Sequence, residues 1–152
     1  MVDFEPDHFQ QMAGLICYYG AVKFHYLYVS HDETLGKHLR VMSALPNHVQ
    51  ADAFTSPIAL PAGSPVELRV EVDYERLRFG YRVGDSAWAW LPQQFDASIL
   101  SDEANVPGSP NFTGAFVGMA CQDLSGSARP ADFDSFEYQE REFQPNPARF
   151  GP

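Results

Sequence analysis

Apolar and polar residues alternate with a period of two over residues 66–83. Leu68, Val70, Val72 and Tyr74 alternate with Glu67, Arg69, Glu71 and Asp73, and then Leu77, Phe79, Tyr81 and Val83 with Arg76, Arg78, Gly80 and Arg82. This is the repeat of a strand whose successive side chains face opposite sides of a sheet. A two-residue turn at Tyr74-Glu75 predicts a hairpin that pairs Val72 with Leu77, Val70 with Phe79 and Leu68 with Tyr81 on its inner face. The same register sets Asp73 against Arg76, Glu71 against Arg78 and Glu67 against Arg82 outside, each pair worth about 0.2–1 kcal/mol. Their joint effect is to fix the register, since a one-residue slip turns the apolar face outward. Tyr-Glu is a poor two-residue turn by residue type, so a longer loop stands as the alternative.

Residues 12–19 and 112–121 behave differently, for neither carries a charge on either face. In the first, Leu15, Cys17 and Tyr19 oppose Ile16 and Tyr18; in the second, Phe112, Phe116 and Ala120 oppose Val117, Met119 and Cys121. A strand apolar on both sides is expected to be covered on both sides, by something beyond the opposite sheet. Further strands are expected over residues 22–31, 37–43, 95–100 and 132–138. No stretch sustains helical spacing and no internal repeat is visible. Eleven glycines and twelve prolines punctuate the chain as many short turns require. The pattern predicts an all-β, two-sheet sandwich of jelly-roll type over residues 1–138, followed by a polar, proline-bearing tail over 139–152.

Three blocks narrow this further: Phe9-Gln10-Gln11-Met12-Ala13-Gly14-Leu15, the run from Phe112-Thr113-Gly114-Ala115-Phe116-Val117-Gly118 to Cys121-Gln122-Asp123-Leu124, and Ala131-Asp132-Phe133-Asp134-Ser135-Phe136-Glu137-Tyr138. In order and spacing they resemble the C-terminal concanavalin A-like β-sandwich of glycoside hydrolase family 43 β-xylosidases. The resemblance implies a non-catalytic accessory module whose partner, in the same or a separate chain, is a catalytic propeller carrying the carboxylates. It also implies that the module's opening strands lie outside this sequence, leaving an exposed sheet edge prone to self-association. In that family a loop Phe of the sandwich reaches the substrate pocket. The residue matching it is Phe112, whose alternative role is to begin a buried strand. On this reading xylo-oligosaccharide is met only alongside the propeller, and the chain alone hydrolyses nothing.

Composition adds little that conflicts. The formal net charge of −10 argues against a nucleic-acid partner, which needs clustered Lys and Arg. Acidic residues follow Met1 almost at once, and the longest uncharged window is broken by glycine and proline. Neither a leader nor a membrane span is expected, and a cytoplasmic setting is the default. Cys17 and Cys121 read as small buried hydrophobes rather than a disulfide. The five histidines show no ligand spacing, and Asp123, Asp132 and Asp134 are read as solvated acids rather than a calcium site, so no metal or cofactor is expected.

Two rivals remain. Glu71, Asp73 and Glu75 resemble the Glu-x-Asp-x-Glu strand of family 16 glucanases, and retaining glycosidases need carboxyl groups about 5–5.5 Å apart. Against that stand the arginines across the hairpin, which would hold both carboxylates ionised and deny the site its acid. Trp88 and Trp90, two residues apart, offer the stacking platform of a free-standing carbohydrate-binding module, or else half-buried packing.

Overall fold

A computed structural model describes residues 1–45, 54–104 and 113–140. Within these, strands run over Val2–Asp3 (β1), Gln11–Gly20 (β2), Lys23–Asp32 (β3), Gly36–Ala44 (β4), Ile58–Ala59 (β5), Val66–Asp73 (β6), Arg76–Val83 (β7), Ala89–Trp90 (β8), Phe95–Asp96 (β9), Phe116–Asp123 (β10) and Asp132–Phe133 (β11). They form two antiparallel sheets. One is ordered β11-β1-β6-β7-β8 with β9 also on β7, and the other β10-β2-β3-β4-β5.

The β6–β7 hairpin has the register that the alternation predicts, from Asp73 opposite Arg76 to Glu67 opposite Arg82. The loop is the short one: Tyr74 takes a left-handed φ of 53°, supplying the reversal that its residue type disfavours. Leu77 and Phe79 point into the core with Ala13, Cys17, Leu27, Val29, Leu39 and Val41 of the opposite sheet. At Gly14 the β3 backbone comes so close that an added Cβ would fall 2.0 Å from the Leu27 carbonyl oxygen, which requires glycine there.

Four expectations are corrected. Residues 95–100 are not one strand. After β9 the chain turns into a 3-10 segment, Ala97–Leu100, because the Asp96 carboxylate caps the Ser98 N–H at 2.9 Å and turns Ile99 and Leu100 inward. The strand expected over 132–138 keeps strand pairing only at β11. Among the described residues β10, which takes in most of the charge-free run, is an edge strand rather than a covered one, with Phe116 60% and Met119 48% exposed. Cys121 is exposed there while Cys17 is buried, and no disulfide joins them.

Candidate functional site

The acidic strand faces its own hairpin partner. Arg78 donates to Glu71 Oε2 from Nε at 2.9 Å and Nη2 at 2.5 Å, and Arg69 Nη2 lies 2.8 Å from Oε1. Arg82 grips Glu67 in a two-point fork, 2.8 Å at each contact, and this hydrogen bonding holds the Glu67 carboxyl below the ordinary glutamate range. Glu75 sits in the turn, where its carbonyl accepts the Ala97 N–H at 2.9 Å. Two guanidiniums on Glu71 favour its charged form, whereas a general acid must keep its proton until the bond breaks. The arrangement is a salt-bridged wall.

Trp88 and Trp90 stand on the same face, both half-buried. Trp90 lies against Gly80, where a Cβ would come within 3.0 Å of its ring, and Arg78 sits 4.0 Å from its centroid. Arg82 lies 5.0 Å from the Trp88 centroid, and Arg69 lies 5.6 Å from both rings. The indoles and guanidiniums form one ladder of cation–π contacts.

Phe112 lies outside the described residues, but residues 101–104 and 113, on either side of the segment that contains it, are tightly placed. Lys23 is fully buried, and its Nζ donates to the carbonyls of Ser101 at 2.8 Å and Ala104 at 2.9 Å while resting 3.7 Å over the Tyr19 ring. The Tyr19 hydroxyl donates to Asp102, and burial together with this bond raises its pKa. On the far side Thr113 Oγ1 donates to the Tyr19 carbonyl at 3.2 Å. Residues of β2 and β3 thus hold the described residues on both sides of that segment. Sequence reasoning missed this node, although its signal was present: Lys23 occupies an inward position in phase with His25, Leu27 and Val29. A lysine in that phase needs an internal acceptor.

Among the described residues no group of three His, Cys, Asp or Glu side chains is placed to hold a metal ion. The Asp123 carboxylate is taken up by its own loop, accepting from Ser125, Ser127 and the Arg129 N–H, which holds it far below the usual carboxylate range. No helix among the described residues is long and apolar enough to cross a membrane.

Comparison with known proteins converges on one family. The profile described as the β-xylosidase C-terminal concanavalin A-like domain matches residues 1–139. A putative β-xylosidase of Escherichia coli is 38% identical over 139 residues, which are 91% of this chain and 26% of that protein. A β-xylosidase of Bacillus subtilis is 37% identical over 141 residues, 92% of this chain and 26% of its own length. The crystal structure of a xylan β-1,4-xylosidase from Bacillus halodurans superposes with a TM-score of 0.77 at 33% identity, covering 88% of this chain and 25% of that one. The chain therefore spans about a quarter of the length of the relatives it matches.

Proposed function

The chain belongs to the family of β-xylosidase C-terminal concanavalin A-like domains, and from that membership we propose that it is a non-catalytic accessory sandwich of a family 43 glycoside hydrolase. In this reading it covers a catalytic propeller, in a cytoplasmic enzyme acting on xylosides or arabinosides of xylan, and lends Phe112 to the propeller's substrate pocket. The observation that carries it is the pinning of the flanking stems by Lys23, Tyr19 and Thr113. A loop that closes a pocket on another domain gains from fixed stems, because ordering it on binding then costs less. An aromatic side chain there excludes water and packs against the C–H face of a sugar.

The salt-bridged Glu71 agrees with a chain that leaves catalysis to its partner. The exposed edge of β10 is where the isolated chain would self-associate, as exposed strand edges do.

The test is complementation. The Bacillus subtilis relative, cut to remove the quarter that matches this chain, is mixed with the chain and assayed on an aryl xyloside. Turnover is expected only in the mixture, and Phe112→Ala is expected to lower it by about 5- to 150-fold at an unchanged melting temperature, matching the 1–3 kcal/mol of an aromatic stacking contact. Turnover by the chain alone that disappears in Glu71→Gln would assign the chemistry to this sandwich. Saturable binding of xylobiose by the chain alone, lost in Trp88→Ala, would make it a free-standing carbohydrate-binding module.

A further inference from the structure

One peptide group, between Asp96 and Ala97, ties the two sheets together. Its carbonyl lies 3.0 Å from His25 Nε2 of β3, and its N–H donates to the Glu75 carbonyl in the β6–β7 turn at 2.9 Å. A carbonyl only accepts, so Nε2 carries the ring proton, and the neutral ring takes the Ser43 hydroxyl at Nδ1, 2.7 Å away. His25 is 1% exposed, and its ring packs against Phe95 at 5.2 Å between centroids. Two residues back on the same face of β3, Lys23 holds the Ser101 and Ala104 carbonyls. One face of β3 thus grips residues 96–104 through the carbonyls of Asp96, Ser101 and Ala104. Of the two gripping side chains, histidine is the one whose ordinary pKa lies between pH 5 and 8.

We propose that His25 is a proton-operated latch on this segment, closed while the ring is neutral. The surroundings disfavour its charged form. From β2 the neighbour is Cys17, whose thiol burial pushes up to about 12, so it stays neutral. From β4 it is Ser43, and β7 turns Leu77 and Phe79 to the core. Lys23 brings a like charge, and beyond it Tyr19 and Asp102 are joined to each other. The Asp96 carboxylate already accepts from the Ser98 N–H and hydroxyl. Burial lowers the His25 pKa against the pull of Asp96. A proton arriving at Nδ1 turns that nitrogen from acceptor to donor, so the Ser43 hydroxyl must turn away. The imidazolium then leaves the core for water and releases the Asp96 carbonyl, while the strands stay paired. The latch rests on these contacts alone. That acid thereby loosens the residues leading to Phe112 rests also on the accessory-domain reading.

Hydrogen exchange of the Ala97 amide in the full chain tests the latch. Between pH 7 and pH 5, corrected for the intrinsic rate, its protection should fall about 5- to 30-fold. Thirtyfold is the most that one proton gives over the roughly 1.5 pH units below the ordinary histidine value. This exchange should respond little to dilute urea, as local opening does, whereas the Leu27 and Leu39 amides should exchange through global unfolding with a steep response. His25→Gln can still donate to Asp96 and accept from Ser43 but takes no proton, so it should remove the pH dependence, and His38→Gln should leave it. Should His25→Gln fail to fold, the His25 ring signal of the unaltered chain decides. Its titration midpoint should lie below about 6.5, with Ala97 protection declining between that value and the midpoint. The proposal is overturned if Ala97 protection is flat, if it falls equally in His25→Gln, or if Ala97 shares the urea response of Leu27. In the mixture with the truncated Bacillus subtilis relative, KM for the aryl xyloside should rise more toward pH 5 than it does with His25→Gln; equal rises would overturn the effect on the pocket. An Ala97 response without turnover at any pH leaves the latch and removes the accessory role, and turnover without an Ala97 response does the reverse.

Discussion

Val72 and Leu77 face each other across one hairpin and are alike in chemistry, yet Val72 is 49% exposed and Leu77 is 0% exposed. The difference lies in what stands opposite. Beside Leu77, β7 is flanked by β9 and packed by the 3-10 segment, with Phe79 and Phe95 in edge contact at 5.4 Å between centroids. Val72 lines an open cavity of about 680 Å³ beside β6, which Val117 and Met119 of β10 also line. Alternation tells a residue which way to point, and only the rest of the fold decides whether anything is there to meet it. Among the described residues the sandwich therefore has a sealed region around β3, β4 and β7 and an open one beside β6 and β10.

The sharpest way to break that comparison is to shorten both members of the pair. Leu77→Ala should destabilise the chain by about 2–5 kcal/mol, because it removes a fully buried side chain and leaves a cavity. Val72→Ala should change stability by less than about 1 kcal/mol, since water already reaches half of the side chain. Urea denaturation of both variants measures this. Equal losses would mean that the open region is closed in solution.

Much of the sealed region was legible in the sequence. The charges of β6 and β7 write their own register, since Glu67, Glu71 and Asp73 each have one cation opposite only in the observed pairing. The family blocks at residues 9–15 and 112–124 carried the fold class, and the comparisons agree. What stayed hidden was context. Phe116 and Met119 carry the same hydrophobic signal whether a strand is central or at an edge, and nothing local says which. The cap from Asp96 broke a plausible strand through one side-chain hydrogen bond. Lys23 and Tyr19 were invisible as an anchor because their partners lie about eighty residues away in sequence.

A second test sharpens the contrast through pH. His25 is buried in the sealed region, with Nδ1 2.7 Å from Ser43 Oγ and Nε2 3.0 Å from the Asp96 carbonyl oxygen. Burial lowers its pKa, with the Asp96 contacts opposing. The unfolded chain thus takes up the proton near the ordinary histidine value, about 6.5, while the folded chain resists. This contribution to stability is complete above that value and declines as pH falls toward the lowered folded pKa. The slope is limited to about 1.4 kcal/mol per pH unit for one group. His38, also lowered by burial, adds in the same direction. Denaturation midpoints should fall between pH 7 and pH 5, and His25→Gln should flatten the fall whatever it does to stability at pH 7. An unchanged slope in that variant would place the linkage elsewhere.

The smallest expected effect belongs to the ladder at the rim of the open region. Glu67 and Arg82 make a two-point contact, but both side chains are about one-third exposed. Water and salt screen such a pair, and the coupling in a Glu67→Gln, Arg82→Gln double-mutant cycle should be only about 0.2–1 kcal/mol at pH 7. Arg82 lowers the Glu67 pKa, so the coupling is full above the ordinary glutamate range and is lost as pH falls through the lowered value. The cycle repeated at about pH 3 should show it fading, as should one at high salt. A pair this weak still excludes the slipped register, because the slip would move every charge on this face of β6 to the inner side together. A coupling above about 2 kcal/mol that survives salt would show the pair to be desolvated in solution. The ladder would then lie beneath a covering element, and the open region would be a buried interface.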